Sequence, residues 1–193
     1  MRVFLAGASG VIGIRVLPLL VRGGDVVAAM TRSVEKTDQL RALGGEPIVC
    51  DVYDLEALTE AVTAFAPEAV MHQLTDLPDN PEELADHAAR SDRMRSEGTR
   101  NLIAAAQHGG ARRFVAQSIA GRPARGGEAV EQHEQQVLAI GGVVARYGQL
   151  YGPGTYYQDE VPARPRIHID AAARATPPLL DAPPGIRTIV EPG

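Results

Sequence analysis

Lysine is nearly absent from this chain. Of its 19 lysines and arginines only Lys36 is a lysine, so any mechanism that needs a catalytic lysine has a single candidate. Cysteine is as scarce: Cys50 stands alone, which rules out an intramolecular disulfide and argues against a cysteine-built metal site. No spacing of His, Asp and Glu suggests a metal site either. No stretch approaches the ~20 apolar residues of a membrane-spanning helix. The apolar run at the N-terminus is short and broken by glycines, unlike a secretory signal, so a reducing cytoplasm is the expected location. Positive charge is in deficit too. A net charge of −5 speaks against nucleic acid or an anionic membrane surface as partner, and leaves a small molecule as the expected ligand.

What is present is the material of an ordinary globular domain. The 193 residues are 45% hydrophobic and 22% charged, enough for one domain with a buried core. Residues 2–6 form an apolar run ended by glycine. It need not alternate if helices cover both of its faces, and so reads as a buried strand. Residues 11–22 carry apolar side chains at helical spacing, with Pro18 expected to kink or open the helix and Gly23 and Gly24 to end it. Strand-like stretches follow at 26–30, 47–50, 69–74, 113–117 and 142–147. Helix-like stretches lie between them at 34–43, 55–65, 82–108 and 128–139. This alternation predicts an α/β fold, a doubly wound parallel sheet with helices on both faces. Residues 1–150 are expected to form a Rossmann-type domain. Residues 151–193 are proline-rich, too few for an independent domain, and are expected to hold a short strand (166–169), a helix (170–180) and a last strand (187–190).

The strongest motif directly follows the first strand. Gly7-Ala8-Ser9-Gly10-Val11-Ile12-Gly13 opens a helix inside a βαβ unit, the context a dinucleotide-binding loop requires. A pyrophosphate must approach the backbone closely, and the helix N-terminus then offers free N–H groups and a positive dipole end. A nicotinamide site that binds NAD(H) places an acidic residue about 20 residues past the motif, on the ribose 2′-hydroxyl. Here Thr31-Arg32-Ser33 stands there, with Lys36 one helical turn on. An arginine fork can grip a 2′-phosphate, so NADP(H) is expected rather than NAD(H); the same residue is also an ordinary solvated arginine at a helix start. Asp51, followed by Val52, can accept a hydrogen bond from an adenine amino group or cap the next helix.

These residues resemble the short-chain dehydrogenase/reductase superfamily, and most of all its extended branch of NAD(P)-dependent epimerases and dehydratases. The G-x-x-G-x-x-G spacing is that superfamily's form. Asp51-Val52 matches its adenine-side pair, and Val70 to Leu74 its fourth-strand segment, which implies that Leu74 and Thr75 line the cofactor. Glu97 to Leu102 resembles its long helix, and Phe114 to Ser118 the strand carrying an active-site Ser or Thr. Arg146 to Pro153 resembles the Y-G-P segment near the nicotinamide. Ile167 to Asp170 resembles H-x-D-D-x-A, with Ala171 in place of the second acid. The resemblance implies a homodimer through the helices at 82–108 and 128–139.

One departure is decisive for chemistry. The superfamily's redox step uses Tyr-x-x-x-Lys, in which the lysine cation favours the phenolate. None of the tyrosines here, at 53, 147, 151, 156 and 157, has a lysine four positions on, and alignment on Glu134 puts Gly126 and Val130 at the two places. The segment between Pro153 and Arg166 is also abbreviated relative to the extended branch, which draws much of its substrate pocket from there. Candidate replacements are Ser118 as a hydrogen-bond partner of a substrate oxygen, Tyr147 or Tyr151 as a phenol that polarises a carbonyl, and His133 as a general acid or base. The helix around His133 also reads as a charged, solvated face. His72 reads as a core histidine, and Glu82, Glu83, Asp86 and His87 as an exposed helix start. Three functions stay open: an NADP(H)-dependent enzyme that reduces, epimerises or dehydrates a small carbonyl or hydroxyl substrate; a redox-inactive isomerase, cyclase or dehydratase of a biosynthetic pathway; and a non-enzymatic NADP(H)-binding sensor or partner protein.

Overall fold

Helices bury both faces of the first strand, and this sets the layers of the molecule. In the computed structural model, which describes residues 1–76, 87–121 and 127–192, β1 (Arg2–Ala6) sends Val3 and Leu5 to one side and Phe4 and Ala6 to the other, all fully buried. It pairs in parallel with β2 (Val26–Thr31) and β4 (Ala69–His72). β3 (Glu46–Val49), β5 (Arg113–Ile119), β6 (Val143–Tyr147) and β9 (Gly185–Ile189) complete a seven-stranded parallel sheet in the order β3-β2-β1-β4-β5-β6-β9. The order reverses between β1 and β4. Ligands of such sheets bind at that switch point, outside the carboxyl ends of the strands. β3 lies at the edge, where Pro47 costs no ladder bond that a central strand would need.

One layer holds α1 (Gly13–Arg22) and α7 (Ile169–Ala175); the other holds α3 (Leu55–Phe65), α5 (Thr99–His108) and α6 (Gly127–Ala139). α1 is one continuous helix across Pro18, so the helix does not open there. The ring removes one hydrogen bond. Val16, Leu17 and Leu20, each buried, hold the helix to the sheet at about 1.5–3 kcal/mol apiece. α3 begins at Asp54, whose Oδ1 accepts from the Ala57 N–H at 3.0 Å, and ends at Ala66 just before Pro67.

Two other boundaries differ from the sequence reading. The second helix is a 3₁₀ turn (Val34–Lys36) followed by a short α2 (Thr37–Ala42). The single helix expected over 82–108 is α4 (Ala88–Arg93), a π-helical turn (Met94–Gly98) and α5; Glu82, Glu83 and Asp86 lie outside the described residues. The segment after residue 150 is built into the main body. β9 pairs with β6, and β7 (Gln149–Tyr151) pairs with β8 (Arg166–His168) in a small second sheet beside the carboxyl edge. Among the described residues no helix is long and apolar enough to cross a membrane.

Candidate functional site

The glycine loop leaves β1 at the switch point. Gly7 has φ +87°, and a Cβ there would lie 2.6 Å from the Gln73 carbonyl oxygen, so the loop rests against the chain that leaves β4. Gly10 is exposed, and its nearest neighbour would be the Gly7 oxygen at 3.3 Å, which leaves open space above it. Among the described residues the amides of Val11 and Ile12 donate to no backbone carbonyl. They lead directly into α1, so unpaired N–H groups and the positive end of the helix face the space beside Gly10. This cradle fits a pyrophosphate. The loop is fastened on both flanks: Ser9 Oγ lies 2.8 Å from Thr31 Oγ1, and the Ala8 N–H donates to the Met30 carbonyl at 3.0 Å. On the other side Arg15 donates to the Pro153 carbonyl (2.6 Å) and to Asp170 Oδ1 (3.0 Å).

The adenosine end of such a ligand would meet the ends of β2 and β3. Arg32 is half-exposed, and its Nη2 lies 3.5 Å from Asp76 Oδ1. Asp76 is buried and held more closely by Arg90, through Nε on Oδ2 at 3.2 Å and Nη2 on Oδ1 at 3.0 Å. Arg32 therefore faces a carboxylate already paired elsewhere, and its remaining N–H groups are available. Lys36 is exposed one turn away. Asp51 does not cap α3, which Asp54 does. Its Oδ1 instead accepts from the Tyr53 N–H (3.0 Å), and the second oxygen makes no hydrogen bond among the described residues. Val52 is buried, its carbonyl tied by Asn101 Nδ2 at 3.0 Å. The Arg93 guanidinium stacks 3.9 Å above the Tyr53 ring.

Beyond the glycine loop a cavity of about 570 Å³ opens at the carboxyl ends of β4, β5 and β6, within the usual range for a small-molecule site. Val11, Leu74, Ile119, Leu150, Tyr156 and Tyr157 contribute to its wall. Part of its floor is a buried polar chain whose protons can be assigned by exhausting the alternatives. The Leu74 N–H donates to His72 Nδ1 (3.2 Å), which puts the His72 proton on Nε2. That N–H donates to Thr99 Oγ1 (3.0 Å), and the Thr99 hydroxyl donates to His133 Nδ1 (2.7 Å). His133 Nε2–H then donates to the Gln117 carbonyl (2.9 Å). Every site is used only if both rings are neutral, and burial pushes both pKa values below the ordinary 6.5.

The sign of the resulting pH dependence is fixed. In the unfolded chain these rings take up protons near pH 6.5, before the folded ones do. Their stability contribution is complete above that pH and falls below it, by about 1.4 kcal/mol per pH unit for each ring. Thermal unfolding by circular dichroism should show Tm dropping between about pH 6.5 and about pH 5. His133→Gln should make that drop shallower. A wild-type Tm flat over this interval would refute the neutral pair.

Ser118 ends in the cavity wall with its hydroxyl donating to Glu134 Oε1 at 2.6 Å. Arg146 grips the same carboxylate with Nε on Oε1 (2.8 Å) and Nη2 on Oε2 (2.5 Å). Burial alone would raise the Glu134 carboxyl; the bonds from Arg146 and Ser118 outweigh it and hold the group below the usual carboxylate range. Ser118 thus presents lone pairs, not a proton, to the cavity. Cys50 is inert: burial pushes its thiol up to about 11.

The family described as NAD(P)H-binding matches residues 7–145, from the glycine loop to β6. The chain belongs to the NAD(P)H-binding family. Its fold is that of the UDP-glucose 4-epimerases. It superposes on 98% of its length with the UDP-glucose 4-epimerase of Thermus thermophilus in complex with NAD, which it covers to 78%, at a TM-score of 0.80 and 18% identity. The UDP-Glc/GlcNAc 4-epimerase of Campylobacter jejuni gives a TM-score of 0.81 at 14% identity, with 98% and 78% covered. In sequence, 81% of the chain is 39% identical to a 3-diazoavenalumate denitrifying reductase from a Streptomyces species. The chain spans 59% of that protein's length, and about a quarter or less of the other curated relatives it matches.

Within this NAD(P)H-binding protein the expected catalytic groups are distributed unevenly. Ser118, Tyr147 and His133 line the cavity; Tyr151 is not among its lining residues. The Tyr147 hydroxyl is committed to Thr176 Oγ1 (2.7 Å), and burial pushes the phenol up to about 12. Tyr151 donates to Glu191, which raises its pKa, and its ring stands edge-on to His168. The solvated-face reading of the 128–139 helix holds for Glu131 and Gln135, which are exposed, and is corrected for His133 and Glu134, which are buried because both turn toward β5. A free general acid at His133 is likewise corrected, since both of its nitrogens are occupied. Asp76, Arg90, Arg95 and Thr99 were absent from the sequence reading. One signal was there to be read: Ser91, Arg95 and Thr99 recur at intervals of four, a polar stripe on one helical face.

Proposed function

We propose that this protein is an NADP(H)-dependent reductase whose acceptor needs no proton from the protein, an arenediazonium or ortho-diazo phenol. The observation that carries it is the cavity beside the glycine loop. It has no Tyr-Lys pair: His72, His133 and Tyr147 are each committed to another protein group, and the two further phenols in its wall, Tyr156 and Tyr157, have no lysine beside them in sequence. NADPH held by the Gly7–Gly13 loop would supply a hydride. A ketone that takes a hydride becomes an alkoxide and must be protonated. An arenediazonium ion that takes one releases its nitrogen: Ar–N2⁺ and H⁻ give Ar–H and N2, with charge balanced and no proton moved. The 39% identical relative that acts on a diazo compound supports the same class. NADP(H) is preferred over NAD(H) because Arg32 and Lys36 occupy the 2′ end and no acidic residue stands at 31–33.

In this reading the residues bind and orient. The amides at Val11 and Ile12 receive the pyrophosphate, Asp51 and Val52 border the adenine, and Leu74, Thr75 and Pro153 border the nicotinamide half. Ser118, whose proton is directed at Glu134, accepts a hydrogen bond from a phenolic hydroxyl of the substrate. Tyr147 and Tyr151 take no part.

The test supplies NADPH with the ortho-diazo phenol made from 3-amino-4-hydroxycinnamate, against a panel of ketones and aldehydes. NADPH should be consumed faster than in a protein-free control, and deuterium at its C4 should appear on the arene. The rate should be the same in D2O as in H2O. Oxidation of NADPH by carbonyl compounds with a solvent isotope effect would overturn the proposal. NADPH binding without oxidation by any acceptor would favour the sensor or isomerase readings instead.

A further inference from the structure

The cavity wall contains one cation that the reading above leaves unused. Arg95 lies in the π-helical turn Met94–Gly98, interposed between α4 and α5. Such turns displace one side chain from regular helical register and recur at functional sites. The Arg95 side chain is three-quarters buried. Its nearest carboxylate is Asp92, at 3.9 Å, outside hydrogen-bond range, and its guanidinium donates no hydrogen bond among the described residues. The contrast with its neighbours is sharp. Arg90, Arg93 and Arg146 each make two hydrogen bonds to one carboxylate. A buried guanidinium with empty donors is costly to keep, and burial pushes its pKa down.

The charges facing the cavity from the other elements do not compensate for it. From β4 and β5, His72 and the Gln117 backbone present a neutral network, and from α6 His133 is neutral. Asp76, the one carboxylate in the wall among the described residues, is already paired with Arg90 and Arg32. Among the described residues Arg95 is therefore the one cation in the wall, held only by a long ion pair to Asp92, in a cavity otherwise bordered by Val11, Leu74, Ile119, Leu150, Tyr156 and Tyr157.

The geometry points to Arg95 as the anchor for a carboxylate on the substrate, which makes the cavity a site for a planar aromatic acid. Its fork pairs with a carboxylate through two parallel hydrogen bonds, supplying both charge and orientation. The apolar and tyrosine wall takes the ring, and Ser118 lies in the same wall as acceptor for a ring hydroxyl. The inference rests on the reductase reading for the chemistry that follows, but its test is a binding measurement.

The probes are 4-hydroxycinnamate and its neutral amide, titrated calorimetrically into the purified full chain with NADPH present. The wild type should bind the acid about tenfold or more tightly than the amide, the value of a charge-assisted pair. Arg95→Gln should bring the two within about twofold of each other without lowering Tm, and Arg95→Lys should keep part of the preference. Equal binding of acid and amide by the wild type overturns the inference. So does a preference that survives Arg95→Gln, or failure of both probes to bind at millimolar concentration. A chain that discriminates through Arg95 yet never oxidises NADPH removes only the reductase reading. A chain that reduces the diazo phenol yet binds acid and amide alike removes only this one.

Discussion

Gly13→Ala is expected to cost about 3–5 kcal/mol of stability, to lower Tm by about 10 °C and to abolish NADPH binding. A Cβ at position 13 would lie 2.1 Å from the Gly7 carbonyl oxygen and 2.9 Å from the Ala8 Cα. All three nearest atoms are backbone, so no side chain can swing aside. Gly7 cannot retreat either, since it already rests on the Gln73 carbonyl at positive φ. The only relief is to lift α1 away from β1, which exposes Val16, Leu17 and Leu20 and dismantles the cradle together with its helix end. Gly10→Ala is the contrasting control. Its added methyl meets one atom at 3.3 Å, so the fold should survive while the space above the loop narrows. Differential scanning calorimetry with an NADPH titration separates the two. A Gly13→Ala protein with wild-type Tm and affinity would show that the loop is not the rigid cradle described here.

Arg32→Ala is expected to weaken NADPH binding by about 10- to 100-fold and NADH binding by less than about threefold. Hydrogen bonds to a charged partner contribute about 1.5–3 kcal/mol, and only NADPH carries the 2′-phosphate that would receive them. The fold should be unaffected. Asp76 keeps Arg90 at 3.0 Å, and the Arg32 contact at 3.5 Å is the weaker of the two. Raising the salt concentration should shrink the NADPH preference of the wild type, because Arg32 is half-exposed and screened. Fluorescence titration of both cofactors against both proteins reads this directly, and equal losses for NADPH and NADH would remove the 2′-phosphate role.

How far these residues could be read from the chain depends on how local each one is. Gly7, Gly10 and Gly13 lie within one βαβ unit, so their spacing was informative. The parallel sheet was legible for a similar reason: apolar runs that never alternate mean strands covered on both faces. The unbroken α1 was not, because propensity forbids what the packing of Val16, Leu17 and Leu20 enforces. His133 looked like a member of a charged helix face. Its partners, Thr99 and the Gln117 carbonyl, come from two other elements, and only their convergence shows the ring to be neutral and occupied. Tyr147 and Tyr151 were reasonable phenols in sequence; Thr176 and Glu191, 29 and 40 positions away, claim their hydroxyls.

By itself the sequence determined the doubly wound sheet, the glycine loop, the basic residues after β2 and the absence of a Tyr-Lys pair. Each is written in neighbouring residues or in a periodicity. Only the tertiary structure decided which polar groups remain free to meet a substrate. A hydrogen bond or an ion pair consumes a side chain through partners that lie anywhere along the chain. Among the described residues of this cavity that consumption leaves Ser118 as an acceptor and Arg95 as a cation whose guanidinium makes no hydrogen bond.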